Sequence, residues 1–176
     1  MSFFSVNNIS IATIANAAEI TALLNLAYRG EASRTGWTTE ANIIAGDQRT
    51  TINEVEDLMR KQGSTFLIYS NDKIEGCVNL QQQDRKLYLG MLSVHPQLQS
   101  SGIGKKLLAA SVELALAKEC SSIYMMVIDV RDELISWYKR HGYVDTGIRQ
   151  PFEEDNVSGT HLQPLQFMVL EKQLIL

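Results

Sequence analysis

Residues 92–106 have the sequence LSVHPQLQSSGIGKK, which decides the fold that we predict for the chain. The segment begins as the end of an apolar strand, and Pro96 lacks the N–H group that continued strand pairing would need. The next residues, 99–104, form a turn into a helix and include Gly102 and Gly104. Glycine permits tight turns and lets backbone N–H groups approach a ligand without hindrance from a Cβ atom.

This strand–turn–helix pattern has two interpretations. The first N–H groups of a helix lack partners within the helix and lie at the positive end of its dipole, so the turn can hold a diphosphate. Alternatively, it is a strand-to-helix turn that binds nothing. A Rossmann dinucleotide turn is excluded, because the third glycine is missing and no acidic residue ends a strand about 20 positions later.

The surrounding patterns predict a mixed α/β sheet, mostly antiparallel, in one domain over residues 1–176. Upstream we expect a strand at 10–14, a helix capped by Asn16 that ends near residue 28, and a helix from the capping box of Thr51 and Glu54 to Gly63. A meander follows, with strands at 64–70, 73–80 and 86–94. Downstream we expect a helix at 102–119, a strand at 122–130, a helix at 131–141, and strands at 143–148 and 165–171.

Charge and composition exclude several classes of function. The net charge is −4 and no run of lysine or arginine is longer than the two residues of Lys105 and Lys106, so nucleic acid and anionic membrane are not expected partners. No apolar window is long enough to span a membrane, and the first ten residues do not resemble a secretory signal, so we expect a cytoplasmic protein. Cys77 and Cys120 are expected to be reduced and buried. The three histidines lack the spacing of metal ligands.

Residues 92–104 resemble motif A of the GNAT N-acetyltransferase superfamily, Q/R-x-x-G-x-G/A, which follows a strand ending in a sequence like LAVHP. The matching residues are LSVHP at 92–96, then Gln99, Gly102 and Gly104. Residues 137–143, WYKRHGY, resemble motif B, in which a tyrosine lies four residues before a glycine–aromatic pair. The order of elements is also that of the superfamily. One uncharacterised branch shares the segments YRGE, here 28–31, and GWTTE, here 36–40.

The resemblance implies a GNAT fold with helices on both faces of the sheet. It also implies that acetyl-CoA, as cosubstrate, lies across two splayed central strands, 86–94 and 122–130. The main chain of Leu92 and Val94 would bind the pantetheine arm and help to polarise the thioester carbonyl, and the turn would hold the pyrophosphate. The residues expected to bind acetyl-CoA are Leu92, Ser93, Val94, Gln99, Ser100, Ser101, Gly102, Ile103, Gly104 and Lys105.

The resemblance assigns Tyr138 as the general acid that protonates the departing thiolate, although Tyr138 could instead only pack its helix on the sheet. Many members have a glutamate at the position of Tyr88, so the general base is unassigned here. A chain of water molecules is one alternative, and Glu31 or Glu40 is another. Arg131 stands where members often have asparagine, and it either pairs with an acid or contacts the cofactor or the substrate.

The predicted function is direct transfer of acetyl from acetyl-CoA to a primary amine of a small molecule or a protein, without a covalent enzyme intermediate. Trp37 is expected to offer the acceptor an aromatic wall, with Glu31 and Glu40 as carboxylates for the ammonium group. A homodimer is compatible with this interpretation. The alternative is a non-catalytic module of the GNAT fold that binds acyl-CoA as a sensor, which the missing carboxylate at Tyr88 favours.

Overall fold

The computed structural model describes residues 4–175, and its centre is a seven-stranded sheet in the order β1-β3-β4-β5-β6-β9-β7. All neighbouring strands are antiparallel except β5 and β6, which are parallel. This mixed sheet confirms the predicted fold class. In chain order the elements are β1 Ile9–Ile11, α1 Ala17–Tyr28, β2 Ile44–Ala45, α2 Ile52–Arg60, β3 Ser64–Ser70, β4 Ile74–Gln83, β5 Lys86–Val94, α3 Ile103–Ala117, β6 Ser122–Ile128, α4 Asp132–Arg140, β7 Val144–Pro151, β8 Thr160–His161 and β9 Gln166–Gln173.

Helices cover both faces of the sheet, as predicted. Successive side chains of a strand point to opposite faces, and β3 shows the consequence directly. Phe66 and Ile68 belong to the buried cluster that contains the α1 side chains, whereas Leu67 and Tyr69 belong to the cluster that contains the α3 side chains. The apolar run of β3 is therefore used twice, once against each helical layer.

The capping box at the start of α2 is present as the sequence predicts. The Thr51 hydroxyl accepts the Glu54 N–H at 3.2 Å, and the Glu54 carboxylate accepts the Thr51 N–H at 2.9 Å. The helix ends at Arg60 rather than at Gly63, because Lys61 is already in an extended conformation.

The start of α1 differs from the prediction. Asn16 precedes the helix, but its side chain makes no bond into α1 and instead accepts the Thr13 N–H at 2.9 Å. That bond belongs to a short 3₁₀ turn, Ile14–Asn16, which also ends β1 earlier than the strand predicted at 10–14.

A second sheet pairs β2 with β8, which join the two loops that the sequence left without regular structure.

The central strands β5 and β6 separate along their length. They pair only at Lys86–Ser122, Leu87–Ile123 and Tyr88–Tyr124. Beyond that point β5 has a bulge against β4, and Met91 has a φ of +54°. Because a bulge bends its strand, it accompanies the opening of a cleft between β5 and β6.

No helix within residues 4–175 is long and apolar enough to cross a membrane. The same residues contain no group of histidine, cysteine and carboxylate side chains that could hold a metal ion. Cys77 and Cys120 are both buried free thiols, and burial raises the pKa of the Cys77 thiol to about 12.

Candidate active site

Two cavities flank the cleft between β5 and β6. The first, which we call the turn cavity, has a volume of about 850 Å³ and lies between the end of β5, the turn into α3, and α4. The second, which we call the arginine cavity, has a volume of about 660 Å³ and is lined by Arg29, Arg49 and Arg131. It lies between α1, α2 and the middle of β5 and β6.

The two cavities meet at four side chains that line both of them, namely Tyr28, Leu92, Leu134 and Tyr138. At this junction the Tyr28 hydroxyl donates a hydrogen bond to the Leu92 carbonyl. Burial raises the pKa of Tyr28, so the hydroxyl keeps its proton at neutral pH. Tyr28 therefore fixes the bulged part of β5 from the α1 side.

The turn before α3 has the geometry of an anion site. Gly102 is the N-cap residue with a φ of +90°, and a Cβ atom there would meet no atom within 4 Å, so its conformation and not its packing calls for glycine. The first helical bond joins the Lys106 N–H to the Gly102 carbonyl at 3.0 Å. The N–H groups of residues 103–105 precede this bond and lie at the positive end of the helix dipole.

The residues expected to bind acetyl-CoA divide into two groups. Seven line the turn cavity, namely Leu92, Val94, Gln99, Ser100, Gly102, Gly104 and Lys105. Ser93 and Ile103 are buried, and the Ser101 hydroxyl donates to the Leu98 carbonyl at 2.5 Å. These three residues do not line the cavity.

Gln99 uses its side chain to hold another part of the protein. Its Nε2 donates to the Thr38 hydroxyl at 2.7 Å and to the Val94 carbonyl at 3.1 Å, and its Oε1 accepts the Thr38 N–H at 3.2 Å. Gly36 packs so closely that a Cβ atom there would lie 2.5 Å from Oε1. Gln99 therefore fastens segment 36–38 onto the turn, a role that the sequence analysis missed.

Tyr138 lies on α4 at the junction and is 5% exposed. Burial raises its pKa well above 10.0, whereas the positive charges of Arg131 and Arg49 act in the opposite direction. Its ring packs against Trp137 at 5.0 Å and Tyr143 at 5.8 Å between centroids. The hydroxyl is protonated at neutral pH, as a proton donor must be.

Glu40 is a buried carboxylate held by two arginines. Arg29 forms an ion pair with one of its oxygens, and Arg131 Nη1 lies 3.0 Å from the other. Burial by itself would raise the pKa of Glu40, but the charges of Arg49, Arg131 and Arg29 outweigh burial and lower it. Of the alternatives for Arg131, the structure therefore shows pairing with an acid. Glu40 links the loop after α1 to the start of α4.

Three other residues singled out from the sequence lie apart from the junction. Glu31 is exposed, pairs with Arg34 at 3.0 Å, and lines neither cavity. Trp37 lines the turn cavity and not the arginine cavity, with its ring 6.2 Å from that of Trp137. Tyr88 also lines neither cavity, because it lies where β5 and β6 are still paired.

Arg49 is a site residue that the sequence analysis did not find. Its guanidinium lies 4.5 Å from the centroid of the Tyr28 ring, on the wall of the arginine cavity. No sequence signal marks it, because it lies in a polar loop without periodicity and its partner Tyr28 is on a different element.

The sequence profile of the acetyltransferase (GNAT) family matches residues 21–143. The chain belongs to this family. As a GNAT acetyltransferase it uses acetyl-CoA as cosubstrate, in agreement with the sequence prediction. The matched region runs from α1 to the residue that precedes β7, and it includes the turn, both central strands and Tyr138.

Solved structures share the GNAT fold over almost the whole chain. The ribosomal-protein-S18-alanine N-acetyltransferase of Escherichia coli superposes with a TM-score of 0.73 at 11% identity, covering 97% of this chain and 96% of its own. A putative acetyltransferase of Salmonella typhimurium, yncA, solved with its cofactor acetyl-CoA, gives 0.69 at 18% identity, covering 96% and 94%. A GNAT-family acetyltransferase of Staphylococcus aureus gives 0.68 at 17%, covering 96% and 99%. These likenesses confirm the predicted fold.

Proposed function

We propose that this GNAT chain transfers the acetyl group of acetyl-CoA directly to a primary amine, without a covalent enzyme intermediate. The observation that carries the proposal is the meeting of two cavities at Tyr28, Leu92 and Tyr138. Two open approaches to one point allow donor and acceptor to be bound together, and bringing reactants together in this way lowers the barrier to transfer. Because the cavities combine residues between 28 and 167, we take residues 1–176 as one catalytic domain.

The turn cavity is the proposed donor site. The N–H groups of residues 103–105 and the ammonium group of Lys105 would hold the pyrophosphate. The main chain of Leu92 and Val94 would orient the pantetheine arm and polarise the thioester carbonyl. Acetyl-CoA supplies an acyl group activated as a thioester, and every other contribution comes from the chain.

Tyr138 is the proposed general acid. The amine nitrogen bonds to the carbonyl carbon, the carbon–sulfur bond breaks, and the Tyr138 O–H proton passes to the sulfur. The raised pKa keeps this proton in place until it is needed. Arg131 and Arg49 stabilise the tyrosinate that results, which then regains a proton from solvent.

The surplus proton of the acceptor amine leaves through water in the arginine cavity. Glu40 is unsuitable as the base, because a carboxylate with a lowered pKa and two arginine partners holds a proton only weakly. Glu31 lies outside both cavities and has no place in this site. The absence of a carboxylate at Tyr88 fits a water-mediated route.

The alternative is a sensor that binds acyl-CoA without turnover, and the tyrosine at position 88 is the observation that favours it. Two measurements decide between the functions. Calorimetric titration with acetyl-CoA tests binding, and release of free thiol with a panel of primary amines and lysine-containing peptides tests transfer. Turnover above the hydrolysis rate supports the enzyme, and binding without turnover supports the sensor. Absence of binding at millimolar acetyl-CoA contradicts both.

A further inference from the structure

The three arginines that line the arginine cavity are not equivalent. Arg29 and Arg131 both pair with Glu40, and Arg29 also donates from Nε and Nη2 to the Ser158 carbonyl at 3.0 and 2.8 Å. By contrast, no carboxylate within residues 4–175 lies at ion-pair distance from Arg49. Arg49 is therefore the one arginine of the three whose guanidinium makes no ion pair with the residues at 4–175.

Arg49 is held in position although its guanidinium makes no ion pair within residues 4–175. Its N–H group donates to Asn25 Oδ1 at 2.7 Å, which anchors the backbone next to α1. The guanidinium carbon lies over the Tyr28 ring, 4.5 Å from its centroid, which is a cation–π contact. The guanidinium N–H donors make no hydrogen bond to the residues at 4–175, so they can bind a planar anion.

The other acidic side chains along this cavity already have partners. Glu54 accepts the Thr50 hydroxyl at 2.8 Å and the Thr51 N–H at 2.9 Å. Asp155 accepts the Ser158 and Val157 N–H groups at 2.7 and 2.9 Å. Asp57 lies 3.8 Å from Arg60 on its own helix. None of the three lies at ion-pair distance from Arg49, so its guanidinium is available to a ligand.

We propose that the acceptor is an amine that also carries a carboxylate, of the amino-acid class, and that Arg49 binds this carboxylate. The inference rests on the proposed function, in which the arginine cavity receives the acceptor. The amine then points to the junction beside Tyr138, while the carboxylate lies against the guanidinium edge. A guanidinium and a carboxylate form two parallel hydrogen bonds, which fix the orientation as well as the affinity.

The test compares acceptors that differ only in this charge. We would measure thiol release with α-, β- and γ-amino acids and with their carboxamides, which keep shape and amine but lose the negative charge. A charged hydrogen bond is worth enough to give the acids a kcat/KM higher by roughly 10- to 100-fold. Arg49→Gln should bring the ratio of acid to carboxamide close to one. Arg34→Gln, an exposed arginine of the same loop outside both cavities, should keep the wild-type ratio.

The ratio is measured within one protein, so partial unfolding of a variant does not imitate the result. Arg49→Lys keeps the charge but not the two parallel donors, and it should retain an intermediate preference. Equal kcat/KM for acids and carboxamides in the wild type would overturn the inference while leaving acetyl transfer intact. If no amine is acetylated, the proposed function fails instead. Calorimetric titration of the amino acids into protein saturated with CoA then decides, and an absence of heat overturns this inference as well.

Discussion

The turn cavity and the arginine cavity are built in different ways. The turn cavity takes its main binding groups from one continuous segment, 94–105, and offers largely backbone N–H groups and a helix dipole. The arginine cavity combines residues from α1, the loop after it, α2, β5, β6, α4 and the segment 152–158. If the turn cavity binds the diphosphate and the arginine cavity the acceptor, as proposed, local backbone geometry suffices for the first ligand, whereas the second needs side chains brought together from distant parts of the chain.

Removing the Tyr138 hydroxyl tests whether this residue, which lines both cavities, protonates the departing thiolate. Tyr138→Phe keeps the ring and its packing, and kcat should fall by roughly 10²–10⁴-fold, because a positioned proton donor is worth that much. Acetyl-CoA affinity, measured by calorimetry, should change little, since the turn lies on another element. The loss should also shrink for an acyl donor whose leaving group is stable as an anion.

Tyr143→Phe is the matched control for this variant. Tyr143 packs against Tyr138 and lines neither cavity, and its buried hydroxyl has no hydrogen-bond partner among residues 4–175. The kcat of the Tyr143→Phe enzyme should equal that of the wild type. A Tyr138→Phe enzyme with wild-type kcat would show that water protonates the thiolate and that Tyr138 only packs.

Glu40→Gln tests whether the arginine cavity depends on its buried ion pairs. The change leaves Arg29 and Arg131 without a compensating charge, and breaking a buried pair in this way costs about 3–5 kcal/mol of the free energy of unfolding. Urea unfolding should show that loss, whereas Glu31→Gln, at an exposed ion pair in the same loop, should stay within about 0.5 kcal/mol of the wild type.

The same pair of variants gives a distinct dependence on pH. The pKa of Glu40 is lowered in the folded protein, so its stabilisation is complete above the unfolded value of about 4.5 and is lost as the pH falls through the folded value. The stability difference between wild type and Glu40→Gln should therefore shrink below pH 4.5. A constant difference down to pH 3 would contradict the proposed ion pairing.

Gly104→Leu tests the turn cavity alone. A Cβ atom at Gly104 would already lie 3.4 Å from Trp137, so a larger side chain extends into the cavity beside the first helical N–H groups. Acetyl-CoA should bind roughly 10- to 100-fold more weakly, the equivalent of one charged hydrogen bond. The thermal midpoint should not fall, because leucine favours a helix more than glycine does by about 1 kcal/mol. Unchanged binding would place the pyrophosphate elsewhere.

Trp37→Ala should change the kinetic constants least of these variants. It also distinguishes the two cavities, because it should affect the KM of one substrate more than that of the other. The sequence suggested Trp37 as an acceptor wall, but its side chain lines the turn cavity. We therefore expect the KM for acetyl-CoA to rise by roughly 2- to 10-fold, the worth of one aromatic contact, with a smaller change in the acceptor KM. A larger rise in the acceptor KM would restore the assignment to the acceptor.

The sequence by itself determined the strand–turn–helix of residues 92–106, the capping box of α2 and the mixed sheet. The strand–turn–helix and the capping box depend on neighbouring residues, because capping and glycine positions are local properties of the chain. The mixed sheet followed from the order of the elements, which local periodicity predicts. The same locality explains why Gly102 and Gly104 could be recognised as part of an anion site before any fold was known.

Only the tertiary structure decided which charges meet. Glu40 and Arg131 are 91 residues apart, Gln99 and Thr38 are 61 apart, and Arg49 reaches Tyr28 from a loop without periodicity. A charged side chain in a polar loop has the same local pattern whether it faces solvent or a buried partner. The carboxylate of Glu40 thus became a structural ion pair and Arg49 an unpaired cation only when the fold brought α1, the loop and α4 together.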